Sequence, residues 1–195
     1  MDLYYYRQKI DRFADENYSD AAREAEVVFL GDSLTDFCPL DLYYPEWKTL
    51  NRGIAGDTTE GLLHRMQVSV YDLRPKVVVL LIGGNNLQTM FVDYEEILKG
   101  IGSALPDTKV VLVSLTPMGE PYAAKNPISK GNNLRIKAYA AEYGFSFVDL
   151  YDDLVDPATD RLRESYTVDG AHLTPEGYAV FTKKIAAAIR EVIKG

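Results

Sequence analysis

The sequence predicts an α/β fold of three layers, α/β/α, with helices on both faces of a five-stranded parallel sheet. Three observations carry this prediction. Apolar runs of strand length alternate with segments of helical period along the whole chain, the pattern of a doubly wound architecture. The strand runs are continuous and rich in Val, Ile and Leu instead of alternating, so both faces of the sheet are buried. The first three runs are also followed by glycine and polar residues, placed where sites form in such sheets, at the C-terminal ends of the strands.

The elements follow in order. Leu3 to Arg23 reads as one helix laid across the sheet. "EVVFLG" (Glu26–Gly31) is the first strand. "TLNRG" (Thr49–Gly53) is a weaker second one between turn residues. "TTEGLLHRM" opens a helix with Thr58 and Thr59 as caps. "KVVVLLIGG" (Lys76–Gly84) is the third strand. Tyr94, Ile97, Leu98, Ile101 and Leu105 fall at helical spacing behind Asp93 as an N-cap. "KVVLVSL" (Lys109–Leu115) is the fourth strand, and the loop-like Thr116–Ser129 after it is expected to rim a pocket, with Met118 and Tyr122 near the bound group. "NPISKGNNLRIKAYAAEYG" is a helix ending at Gly144. "FSFVDL" (Phe145–Leu150) is the fifth strand, and Thr174-Pro175-Glu176 starts a final helix with a cap and a first-turn proline. With no repeat, low-complexity tract or linker, residues 1–195 are expected to form a single domain.

Composition narrows the function classes. A net charge of -8 argues against nucleic acid and anionic membrane surfaces as main partners, because both need a positive field. Cys38 is the only cysteine, so neither an intrachain disulfide nor a thiolate metal cluster can form. The first twenty residues mix polar and aromatic types with no apolar signal core. No run approaches the ~18 apolar residues of a membrane span, and the expectation is a cytoplasmic protein without stable membrane insertion.

The residues after the strands fit one reaction class. Gly31-Asp32-Ser33-Leu34 follows the first strand, Asn51 to Thr59 the second, and Gly83-Gly84-Asn85-Asn86 the third; Asp169-Gly170-Ala171-His172 comes some twenty residues after the fifth. A serine hydroxyl is a weak nucleophile that needs an imidazole to take its proton. The imidazole in turn needs a carboxylate to fix its tautomer. Asp169 and His172 can supply that pair from one turn, with Ser33 as the nucleophile. An oxyanion needs fixed donors, for which the amides of Ser33 and Gly56 and the Asn85 carboxamide are candidates.

Four blocks, "FLGDSLTD", "NRGIAGDTT", "LIGGNN" and "VDGAHLTPEGY", resemble in order and spacing the signature of the SGNH hydrolase superfamily, the GDSL-type esterases and lipases. They cover the chain from about Glu26 to Phe181 and look most like the small acetylesterase and platelet-activating-factor acetylhydrolase-like members. The resemblance implies strand order 2-1-3-4-5, as in flavodoxin-like folds, and no metal or organic cofactor. It implies Ser33 as nucleophile, His172 as general base, Asp169 as its orienting partner, and Ser33, Gly56 and Asn85 as oxyanion donors. The substrate it implies is a small-molecule ester, with acetyl or another short acyl group on a carbohydrate favoured. Lysophospholipase or thioesterase chemistry is the alternative, and a non-catalytic carbohydrate- or partner-binding relative is the alternative of another class. The chain departs from the family at Asn86, where the third block usually has an aspartate; this is read as an altered hydrogen bond behind Asn85.

Other residues have plainer readings. Asp32 is expected to hold its loop by accepting backbone amides. Gly53 reads as a turn glycine, and His64 as a surface or packed histidine on a helix. With only His64 and His172 available and no ligand spacing around them, a metal site is not expected. Most of the 14 tyrosines read as partly buried anchors with wet hydroxyls.

Overall fold

The computed structural model describes residues 2–194. The chain runs α1 (Leu3–Glu16), α2 (Asp20–Arg23), β1 (Val27–Gly31), α3 (Ser33–Asp36), α4 (Leu40–Tyr43), β2 (Thr49–Gly53), α5 (Thr59–His64) and β3 (Val77–Leu81). It continues through α6 (Tyr94–Ala104), β4 (Lys109–Val113), α7 (Asn126–Tyr143), β5 (Ser146–Val148), α8 (Tyr151–Leu154), β6 (Val155–Asp156), β7 (Arg161–Leu162) and α9 (Pro175–Lys194). Five strands form one parallel sheet in the order β2-β1-β3-β4-β5, flanked by helices, as the sequence predicts. Two compact units divide the chain, one up to Val110 and one from Val111 on. Among the described residues no helix is long and apolar enough to cross a membrane.

In the first unit β1 lies between β2 and β3, Phe29 pairing with Asn51 on one side and Val79 on the other. All residues of β1 and β3 are buried. That is why these runs are continuous rather than alternating, each fully buried Val or Leu contributing roughly 1.5–3 kcal/mol. α6 buries Tyr94, Ile97, Leu98 and Ile101, the predicted stripe. α5 is capped by Thr58, whose hydroxyl accepts the Gly61 amide at 3.2 Å.

Two expectations fail locally. The N-terminal helix is not continuous. It stops at Glu16, where the Asn17 side chain donates to the Val68 carbonyl (2.8 Å) and accepts from the buried Arg52 (2.8 Å), and Ser19 then caps α2. Asp93 sits at the start of α6 without capping it; its carboxylate instead lies 3.5 Å from the Thr59 hydroxyl. The tyrosine run divides its labour. Tyr5 donates to Asp36 (2.7 Å), Tyr6 donates to the Gly61 carbonyl (2.6 Å), and Tyr4 stays exposed.

In the second unit β5 pairs with β4 in parallel, Val113 opposite Val148. Two buried amides on α7 shape the segment after β4. Asn133 brackets Leu115, accepting its N–H and donating to its C=O, while Asn126 does the same for Met118 and also donates to the Asp160 carbonyl. These side chains stand in for a neighbouring strand, so the loop is ordered without one. Gly144 ends α7 in the left-handed conformation, φ 68°, as a C-terminal glycine does. The small β6–β7 hairpin has no apolar run behind it, and the sequence pattern does not predict it.

Candidate active site

In the first unit the serine follows β1 directly. Asp32 is buried, and its carboxylate accepts the Leu34 amide at 3.1 Å. Its carbonyl accepts the amides of Thr35 and Asp36. Asp32 thus turns the chain sharply from strand into α3, and Ser33 sits half-buried at the first helical position. Gly53 is the last residue of β2, where the second strand is expected to end, and is more than a turn glycine. A Cβ there would lie 2.2 Å from the Asp36 amide nitrogen. Its smallness lets α3 sit against the end of β2.

Beyond β2 the chain turns at Gly56, whose φ of 78° favours glycine. The residues on either side are tied down separately. Ala55 donates its N–H to Asp36 (2.9 Å), a carboxylate that also takes Lys9 (2.6 Å) and Tyr5. Asp57 is fully buried, accepts the Thr58 amide at 2.9 Å, and pairs with a fully buried Arg65 at 2.8 Å. Burial pushes the Asp57 carboxyl up and the Arg65 guanidinium down, each opposed by the other's charge. Breaking such a pair by removing one partner costs about 3–5 kcal/mol.

After β3, Asn85 donates one carboxamide N–H to the Asp57 carbonyl at 2.8 Å, which orients the second N–H. Asn86 engages Thr59, donating to its hydroxyl (2.9 Å) and accepting its amide (3.4 Å). The Thr59 hydroxyl also faces Asp93. An amide at position 86 can donate to that hydroxyl and leave its proton for Asp93, whereas an ionised aspartate could only accept.

In the second unit Asp169 and His172 share one tight turn. Asp169 Oδ1 accepts the amides of Ala171 (2.9 Å) and His172 (2.8 Å), while Oδ2 contacts His172 Nδ1 at 2.6 Å. The Thr167 hydroxyl donates to the His172 carbonyl (2.8 Å) and accepts the Gly170 amide (2.9 Å). The Gly170 carbonyl takes the Gly119 amide at 2.7 Å. Immediately beyond, the Thr174 hydroxyl accepts the Gly177 amide, capping α9. The histidine is therefore delivered by a loop locked on both sides.

Partial burial works to raise the Asp169 carboxyl, but the His172 amide, its imidazole and the Ala171 amide outweigh it and hold the group down, from 3.8 to about 2. The stabilisation from this turn is therefore complete above the ordinary carboxylate value and is lost as pH falls through about 2. Thermal melts should show the wild type losing more Tm than Asp169→Asn between about pH 4 and pH 2; parallel losses would refute this.

Cys38 is buried, and burial pushes its thiol up to about 12, so it is not a nucleophile. His64 is exposed at the end of α5, its Nδ1 on the Glu60 carbonyl. Among the described residues no group of three or more His, Cys, Asp or Glu is arranged to hold a metal ion. Sequence reasoning missed Asp36, Asp57 and Arg65. The available signal was a cation at helical spacing from apolar residues, Arg65 lying three residues after Leu62 and five before Val70.

A family model for GDSL-like lipases/acylhydrolases matches residues 29–180. The chain belongs to the GDSL-like lipase/acylhydrolase family. Its relatives include the platelet-activating factor acetylhydrolase IB subunit alpha1 of Pongo abelii, 31% identical over 80% of this chain and 72% of that one. The alpha2 subunit of Rattus norvegicus is 27% identical over 88% and 79%. The structure of a GDSL-like lipase from Bacteroides thetaiotaomicron superposes with a TM-score of 0.80 at 27% identity, covering 95% of this chain and 97% of that one. Membership of this family makes the chain an ester hydrolase of the acylhydrolase type, with a fold that matches its relatives.

Proposed function

We propose that this acylhydrolase works through an acyl-enzyme on Ser33 and removes short acyl groups, acetyl above all, from carbohydrate or other small esters. His172 takes the Ser33 proton as Oγ attacks the ester carbonyl. The Ser33 and Gly56 amides and the Asn85 carboxamide receive the oxyanion. The C–O bond then breaks, and the alcohol leaves with the proton carried by His172. Water attacks the acyl-enzyme with the same base, releasing the carboxylic acid and restoring Ser33.

The observation that carries this reading is the 2.6 Å contact between Asp169 Oδ2 and His172 Nδ1. A carboxylate on Nδ1 fixes the tautomer in which Nε2 accepts a proton, which is the state a general base needs. Preference for acetyl is supported by the relatives, which are platelet-activating factor acetylhydrolase subunits.

The test pairs fluorophosphonate labelling with an ester series from acetyl to dodecanoyl, alongside acetylated sugars. We expect one adduct, on Ser33, and kcat/KM highest for acetyl. A preference for long acyl chains would overturn the short-acyl reading in favour of lipase-type substrates. Folded protein that takes no adduct would overturn catalysis at Ser33 and favour a binding module.

A further inference from the structure

Arg65 presents five N–H groups and makes five polar contacts within its own unit. Nε lies 2.8 Å from Asp57 Oδ2, and Nη2 lies 2.8 Å from the same oxygen. Nη2 also donates to the Gly31 carbonyl (3.1 Å); Nη1 donates to the Arg52 carbonyl (2.9 Å) and to Ser69 Oγ (2.9 Å). Both Arg65 and Asp57 side chains are 0% exposed.

The partners are not scattered. Gly31 is the last residue of β1, two before Ser33; Arg52 lies at the end of β2; Asp57 follows Gly56. The Asp57 carbonyl in turn holds the Asn85 carboxamide at 2.8 Å. One rigid, planar guanidinium thus ties the backbone segment that leads into Ser33 to the one that carries Gly56 and, through Asp57, to the Asn85 carboxamide. On the far side of Gly56, Asp36 holds the Ala55 amide, so the Gly56 peptide is fixed from both directions.

We infer that Arg65, with Asp57, is a positioning residue that sets the geometry of the oxyanion donors relative to the serine; this rests on the reading of Ser33, Gly56 and Asn85 given above. Burial alone requires that these N–H groups be satisfied; what bears on the site is that their acceptors lie on the segments that carry Ser33 and Gly56. Lysine keeps the charge but cannot fork to three segments.

The experiment compares Arg65→Lys and the pair Asp57→Leu/Arg65→Met with Ile189→Ala, a core variant in α9. For each, circular dichroism and Tm are recorded, and kcat and KM for p-nitrophenyl acetate are taken per folded molecule. We expect Arg65→Lys and the pair variant to lose roughly 10- to 100-fold in kcat with KM changed less than about twofold. The pair variant should melt below wild type, because the Gly31 and Arg52 carbonyls, the Ser69 hydroxyl and the Thr58 amide each lose a partner, and kcat per folded molecule separates that loss from the effect on the site. Ile189→Ala should melt lower with kcat retained. Folded Arg65 variants with kcat per folded molecule within about twofold of an active wild type would overturn the inference alone. A wild type that neither turns over ester nor takes fluorophosphonate would overturn the reading of Ser33, and this inference with it.

Discussion

Alanine at Ser33 is expected to lower kcat for p-nitrophenyl acetate by about 10⁴- to 10⁶-fold, roughly 5–8 kcal/mol in the barrier. The substitution removes one oxygen and little else. The turn that presents residue 33 is built from the Asp32 carboxylate and from backbone bonds, including the Phe37 amide on the residue 33 carbonyl. Alanine retains all of them, so Tm should stay close to wild type and the loss belongs to chemistry. No nearby thiol can substitute, because Cys38 is buried and its thiol is pushed up to about 12. A folded Ser33→Ala protein that keeps a tenth or more of wild-type kcat would place the nucleophile elsewhere.

Asparagine at Asp169 is expected to cost about 10⁴-fold in kcat, near 5.5 kcal/mol. Asp169 has two jobs on two oxygens. Oδ1 accepts the Ala171 and His172 amides and shapes the turn; Oδ2 meets the imidazole. Asparagine keeps an oxygen for the amides but offers an N–H to Nδ1. The ring then carries its proton on Nε2 and can no longer accept one from a serine. The turn should survive, and circular dichroism should be unchanged. Steady-state kinetics decide the matter: kcat within about tenfold of wild type would remove Asp169 from the orienting role.

The two variants probe features that differ in how openly the sequence displays them. Asp169 and His172 are three residues apart, so their meeting is a local matter, settled by one turn and visible in the spacing. Ser33 after a buried strand is legible for the same reason. The continuous apolar runs of β1, β3 and β4 identify a two-sided sheet because burial on both faces removes the polar alternation. Gly144 stops α7 by its own backbone freedom.

Local chemistry does not reach further. Whether residues 3–23 make one helix or two depended on what Asn17 could reach, and its partners, Val68 and Arg52, lie 51 and 35 positions away. Asp93 has the right identity and position for a cap, yet its carboxylate lies toward Thr59, 34 positions back. That Gly53, the expected end of the second strand, has no room for a side chain is decided by α3 pressed against it.

By itself the sequence determined the parallel α/β architecture, the order of its elements and the residue types available for acyl transfer, since these follow from burial periodicity and from bonds within a few residues. Only the tertiary structure decided how buried charge is distributed. A buried ion has to find enough partners to offset its lost hydration; Arg65 has Ser69 one helical turn away, but finds Gly31, Arg52 and Asp57 on strand ends and a loop that only the packed fold brings within reach.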